Sequence, residues 1–119
     1  MTKRNEAGAP APLKPVHHLI LLLLAEAPTY GVDLMERLDS RSSGAIRLNA
    51  GSLYRTIAKL VEDGLAEPLE DPSGPDVGGP PRKVYGVTAR GLGALRAEAQ
   101  RQAGLLEAAR ALDLVEERP

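Results

Sequence analysis

Ser52, Arg55, Thr56 and Lys59 recur at spacings of three, one and three residues. At about 100° per residue, that spacing gathers them on one side of a helix. The set offers hydroxyls that donate and accept, plus two cations, with no acid among them. Such a face can neutralise phosphates and hydrogen-bond to base edges, with arginine to guanine the commonest specific pairing. Glu62 and Asp63 follow at the far end of the stretch. A helix seated in a major groove reads bases with its N-terminal part, so acids at its other end are tolerable. An amphipathic helix with a merely solvated polar side has the same pattern. The rest of the chain must distinguish the two.

Other chemistries lack their residues. There is no Cys, which removes disulfides, zinc–thiolate sites and thiol catalysis. No spaced His/Glu metal motif, serine elbow or glycine-rich phosphate loop opening a helix is present. His17 and His18 are adjacent, so they point about 100° apart and cannot chelate as an i, i+4 pair does. No catalytic residue, metal ligand or cofactor is expected, and the chain reads as a non-enzyme.

The element carrying the polar set runs from Asn49 to Gly64. Leu53, Ile57, Leu60 and Val61 form its apolar side at i, i+4, i+7 and i+8. Asn49 is suited to cap its start and Gly64 to end it in the left-handed conformation. Ahead of it, Pro15 fits the first turn of a helix reaching Ala27-Pro28. That helix holds six consecutive aliphatics, Leu19 to Leu24, which cannot all face one small core. A second chain is therefore expected to cover part of it. Thr29 is expected to cap a helix from Tyr30 to about Ser40, with Tyr30, Leu34 and Leu38 in a stripe. Ala45 to Leu48 reads as a short β-type segment.

After Gly64, residues 65–70 and 82–87 read as two strands. Pro68 places the first at an edge. In the second, Val84 is expected to point to one side and Lys83 and Tyr85 to the other. The Pro- and Gly-rich run 71–81 joins them as a long loop. Two strands with Arg82 and Lys83 where the second begins make a wing. Thr88 is suited to cap a last helix, Ala89 to about Val115. Leu92, Leu95, Ala99, Gln102, Leu106 and Ala109 alternate there at spacings of three and four, a seam that pairs with another helix. Residues 1–12 lack periodicity and read as a disordered tail.

The whole chain has 119 residues, enough for one domain with a real core. Three Tyr are its only aromatics, so that core is aliphatic. The net charge is −1, yet charge is zoned. Arg41, Arg47, Arg55 and Lys59 lie in one stretch free of acids, and Arg82, Lys83, Arg90 and Arg96 in another. Two basic zones in a neutral chain can form a basic face. The first residues contain no apolar signal region, and Leu19–Leu24 is too short to span a bilayer. A cytoplasmic protein without membrane contact is expected.

The element order is that of a winged helix-turn-helix: mainly α with a small β-hairpin, and a long C-terminal dimerisation helix. The expected division is a tail at 1–12, a winged-helix DNA-binding domain at 13–87 and the dimerisation helix at 88–115. Four fragments go further. Leu21-Leu-Leu-Leu-Ala-Glu-Ala-Pro-Thr-Tyr-Gly-Val-Asp-Leu34, Gly51-Ser-Leu-Tyr54, Leu60-Val-Glu-Asp-Gly-Leu65 and Arg82-Lys-Val-Tyr-Gly-Val-Thr-Ala-Arg-Gly91 resemble the PadR family of bacterial transcriptional regulators. The fragments stand in the right order, and the resemblance covers roughly residues 16–112. The resemblance implies a homodimer that binds a pseudo-palindromic duplex operator, most often as a repressor. It implies a dimer built by the C-terminal helix with help from the first, as in the family's shorter subgroup. By position, Asn49, Ser52, Tyr54 and Arg55 fall on the family's DNA-facing helix, Lys59 on its later turn, and Arg82 and Lys83 at the wing.

The sequence also departs from the family pattern. Arg55 stands where Pro is common in the family. The wing loop is unusually long. Family members that trap drugs line a dimer cavity with aromatics, and no Trp or Phe is here to do so. A small-molecule effector is an expected partner of unassigned identity. The alternative is a winged-helix protein-interaction module whose basic face does not bind specific DNA.

Overall fold

The computed structural model describes residues 11–70 and 83–116. Arg82, the loop at 71–81 and residues 1–10 of the expected tail lie outside the described residues. The elements are α1 (Pro15–Glu26), β1 (Thr29–Tyr30), α2 (Gly31–Arg41), α3 (Ala50–Glu62), β2 (Ala66–Leu69), β3 (Val84–Val87) and α4 (Ala89–Ala111). Among them, no helix is long and apolar enough to cross a membrane.

The ends of α3 follow from its flanking residues. The Asn49 side chain accepts from the Ser52 amide at 2.8 Å, satisfying a donor that the first helical turn leaves open. At the other end Gly64 takes φ +77°. The Leu65 amide then donates to the Leu60 carbonyl at 2.9 Å, and the Gly64 amide to Val61 at 3.0 Å. That pair of bonds is the glycine-closed helix end in which Leu60 and Leu65 also meet the core.

Helix α1 begins with Pro15 in its first turn and stops where Ala27 turns extended ahead of Pro28, as a residue preceding proline prefers. It buries Ile20, Leu21, Leu23 and Leu24, leaving Leu22 38% exposed. Leu34 and Leu38 of α2, Leu53, Ile57 and Leu60 of α3, Ala66, Tyr85 and Leu95 complete one core.

Three local expectations are corrected. Thr29 does not cap α2. Its backbone pairs with Tyr85 as a third strand, and its hydroxyl donates to the Ala27 carbonyl at 2.8 Å. The first amide of α2, at Gly31, is satisfied instead by the Lys83 carbonyl at 3.2 Å. The hairpin is thus the larger part of an antiparallel sheet in the order β1-β3-β2, with Pro68 on an edge strand as expected. Because β3 is central, both Val84 and Tyr85 are buried. Second, residues 45–48 form no strand. The Ile46 amide donates to the Ser42 hydroxyl at 2.8 Å, which removes it from any ladder, while Ile46 and Leu48 still pack on the core. Third, α4 ends at Ala111, four residues short of Val115. Asp113 turns left-handed at φ 60°, and the Leu114 amide closes onto the Ala109 carbonyl at 2.9 Å.

Thr88 does cap α4, accepting from the Gly91 amide at 3.0 Å. Its hydroxyl also donates to the Gly64 carbonyl at 2.6 Å. The first turns of α4 belong to the core: Gly91, Ala94, Leu95 and Glu98 are buried.

Candidate nucleic-acid interface

Burial of Leu53, Ile57 and Leu60 orients α3. The opposite side is set outward by the helical period alone. Arg55 is exposed and its guanidinium donates to the Ser52 hydroxyl at 3.2 Å. Among the described residues it meets no acid. The guanidinium also lies over Gly51: a Cβ there would sit 3.3 Å from Arg55 Nη1. Asn49, Ser52 and Arg55 thus form one polar patch over the first turn and a half of α3. Thr56, on the same face, does not join them, because its hydroxyl donates to the Ser52 carbonyl at 2.8 Å.

Tyr54 is held differently. Its ring lies on the backbone of Gly31, where a Cβ would come within 2.7 Å of Cε1 and 2.8 Å of the hydroxyl. Tyr54 is 40% exposed, so the hydroxyl end of its ring packs on α2 while the rest remains partly open. Gly31 is also the residue whose amide reaches the Lys83 carbonyl. Through it, the start of β3 with exposed Lys83 is tied to the same place as the Tyr54 ring. Nearby, burial raises the Tyr85 phenol above its ordinary pKa, and the Tyr54 phenol adds to the rise.

The basic zone of residues 41–59 is less free than its composition implies. Arg41 donates twice to Glu26, at 2.8 and 2.9 Å, and Arg37 binds the same carboxylate at 2.9 Å. The Arg41 contact holds the Glu26 pKa low, against a smaller desolvation cost. Arg47 faces Asp39 at 3.4 Å. Lys59 pairs with Asp63 at 3.1 Å and with Glu62 at 4.0 Å. The Asp63 hydrogen bond raises the Lys59 pKa. Arg41 counted toward the basic stretch, but Glu26 lies fifteen residues upstream and no local pattern connects them. Asp63 was legible: at about 100° per residue it falls within roughly 20° of Ser52 around α3.

The expected dimer residues divide along α4. Leu95 is buried in the core of its own subunit. Gln102 Nε2 lies 3.3 Å from His18 Nδ1 on α1. Leu92 is 37% exposed and Leu106 41%, and Ala99 is exposed. Leu105, beside Leu106, is 71% exposed. The distal half of the helix therefore carries apolar side chains that its own subunit does not cover. Among the described residues no group of three His, Cys, Asp or Glu side chains is placed to hold a metal ion.

The chain matches a family model described as the transcriptional regulator PadR-like family over residues 20–97, about two thirds of its length. No curated protein matches it. Among solved structures it is similar to a PadR family transcriptional regulator from Eggerthella lenta, with 29% identity, a TM-score of 0.64, and 85% of this chain and 83% of that one covered. A PadR-like regulator from Bacillus cereus superposes with a TM-score of 0.68 at 24% identity, over 85% of this chain and 93% of the other. One from Clostridium difficile gives 0.66 at 18% identity, over 83% and 98%. These last two likenesses establish the fold. The family match and the winged-helix architecture together identify a DNA-binding regulator rather than an enzyme: this chain belongs to the PadR-like family of transcriptional regulators.

Proposed function

We propose that the protein acts as a homodimer on a pseudo-palindromic duplex operator, as a repressor, with the N-terminal half of α3 in the major groove. The patch of Asn49, Ser52 and Arg55 is the observation that carries this reading: a guanidinium that meets no acid among the described residues, on a helix end whose other side is locked into the core. In this reading Ser52, Tyr54 and Arg55 are the candidates for base edges, while Arg55, Lys59, Arg82 and Lys83 meet phosphates. The functional division is a winged-helix head at 13–87 and α4 as the dimer element, joined by uncovered Leu92 and Leu106 with Ala99 and Ala109. Two copies of α3 about 34–36 Å apart would enter successive major grooves. A small-molecule effector acts by changing that separation through α4.

The test is a titration of Arg55→Ala against duplex DNA from upstream of the protein's own gene. The expected result is weaker binding, with the slope of log affinity against log salt reduced by about one. Unchanged affinity and slope would remove Arg55, and with it the proposed reading face.

A further inference from the structure

Ser52, Lys59 and Asp63 share one line along α3. Steps of seven and eleven residues return to within about 20° of the starting direction. The rise from Ser52 to Lys59 is about 10 Å. If Ser52 is at a base edge, Lys59 lies two turns further along the same side of the helix, and Asp63 one turn beyond it. The Lys59 ammonium is not directed outward there. It is held by Asp63 Oδ1 at 3.1 Å, with Glu62 at 4.0 Å as a second acid. All three side chains are solvent-exposed, at 55% for Lys59, 40% for Asp63 and 76% for Glu62. Such exposed pairs are weak and exchange partners readily.

Resting on the DNA-binding reading above, we propose that Asp63 is a positioning residue that limits sequence-independent DNA affinity. It competes with phosphates for Lys59, so that a duplex of any sequence meets that cation only once the ion pair opens. Sequence-independent affinity comes almost wholly from cations replacing the counterions of the backbone. A lysine already paired within its own helix releases no counterion until it changes partner. Asp63 itself, on the groove-facing line, repels the phosphates that approach it. Both effects fall on every sequence alike, whereas Arg55 and Ser52 act at base edges further up the helix. Asp63 thereby lowers the sequence-independent part of the affinity and leaves base readout to Ser52 and Arg55.

The experiment compares wild type, Asp63→Asn, Lys59→Ala and the double variant on a random-sequence duplex of about 24 base pairs, over a potassium chloride series. Asp63→Asn is expected to raise affinity about fivefold near 0.1 M salt and to steepen the salt slope by about one. In the Lys59→Ala background the same change is expected to give a much smaller gain. A melting curve checks folding, and Asp63→Ser serves equally if the asparagine variant is unstable. Equal gains in both backgrounds, or wild-type-like binding by Asp63→Asn, would overturn the role assigned to Asp63 while leaving the DNA-binding reading intact. A wild-type protein that binds neither this duplex nor its own upstream DNA would overturn both.

Discussion

The ring of Tyr54 occupies the space in which Gly31 would carry a side chain. A recognition-type helix and the N-terminus of α2 are thereby in contact through backbone on one side and an aromatic face on the other. The contact lies where the Gly31 amide meets the Lys83 carbonyl, so head and wing share a seat. Gly31→Ala is expected to push the ring outward. Alanine gains up to about 1 kcal/mol of helix propensity over glycine, which offsets the lost ring packing. The net stability change should therefore stay within about 1 kcal/mol while the Tyr54 ring resonances move. Unmoved Tyr54 resonances would show that the ring does not rest there.

Two glycines of α4 make a sharper contrast. A Cβ at Gly91 would overlap the Leu65 carbonyl oxygen and the Val87 side chain, and a backbone oxygen cannot swing aside. Gly91→Ala should cost about 1–3 kcal/mol by overpacking. At Gly93, two residues along the same helix, a Cβ meets nothing within 4 Å. Gly93→Ala should stabilise by about 0.5–1 kcal/mol. Urea unfolding of the two variants reads both signs; a stabilised Gly91→Ala would contradict the packing of α4 on the α3–β2 turn.

Glu98 is a buried carboxylate that accepts from Arg101 at 2.9 Å and from the Leu13 amide at 2.9 Å. The Arg101 contact first, and the amide second, lower its pKa. A carboxyl group whose folded pKa lies below its unfolded one adds stability above the unfolded value. That stability is lost as pH falls through the folded value. Glu98→Gln should therefore cost about 1.5–3 kcal/mol at pH 7, and the gap to wild type should narrow in acid, below the ordinary glutamate range. A gap that stays constant from neutral to strongly acidic pH would show that the charge is not what holds Leu13 to α4.

Leu106→Glu puts a charge on the uncovered distal side of α4 without touching the subunit's core. Sedimentation should shift toward the monomer, and affinity for upstream DNA should fall with it, because each half-site would then be bound alone. Persistence of the dimer would place the seam elsewhere on the molecule.

What could be read from the sequence was what is local. Asn49, Gly64 and Thr88 mark their helix boundaries through bonds to residues within a few positions, and the three-and-four spacing of α3 specifies its buried side. What could not be read depends on distant partners. Thr29 looked like a cap because capping is a local rule, yet residue 85 recruits it into the sheet. Arg41 looked like part of a basic surface until Glu26 took it. Asp113, which ends α4, adopts a backbone conformation that aspartate tolerates but does not announce. At the interface, the outward direction of Ser52 and Arg55 was legible. The seat of Tyr54 on Gly31 was not, since a glycine gives no sign of what will cover it.

One hydroxyl, that of Thr88, grips the carbonyl of Gly64 just past α3 and the amide of Gly91 at the head of α4. The C-terminal end of α3 and the first turn of α4 are thus bonded to one another at a single side chain. Any rotation of α4 that keeps both bonds carries the C-terminal end of α3 with it.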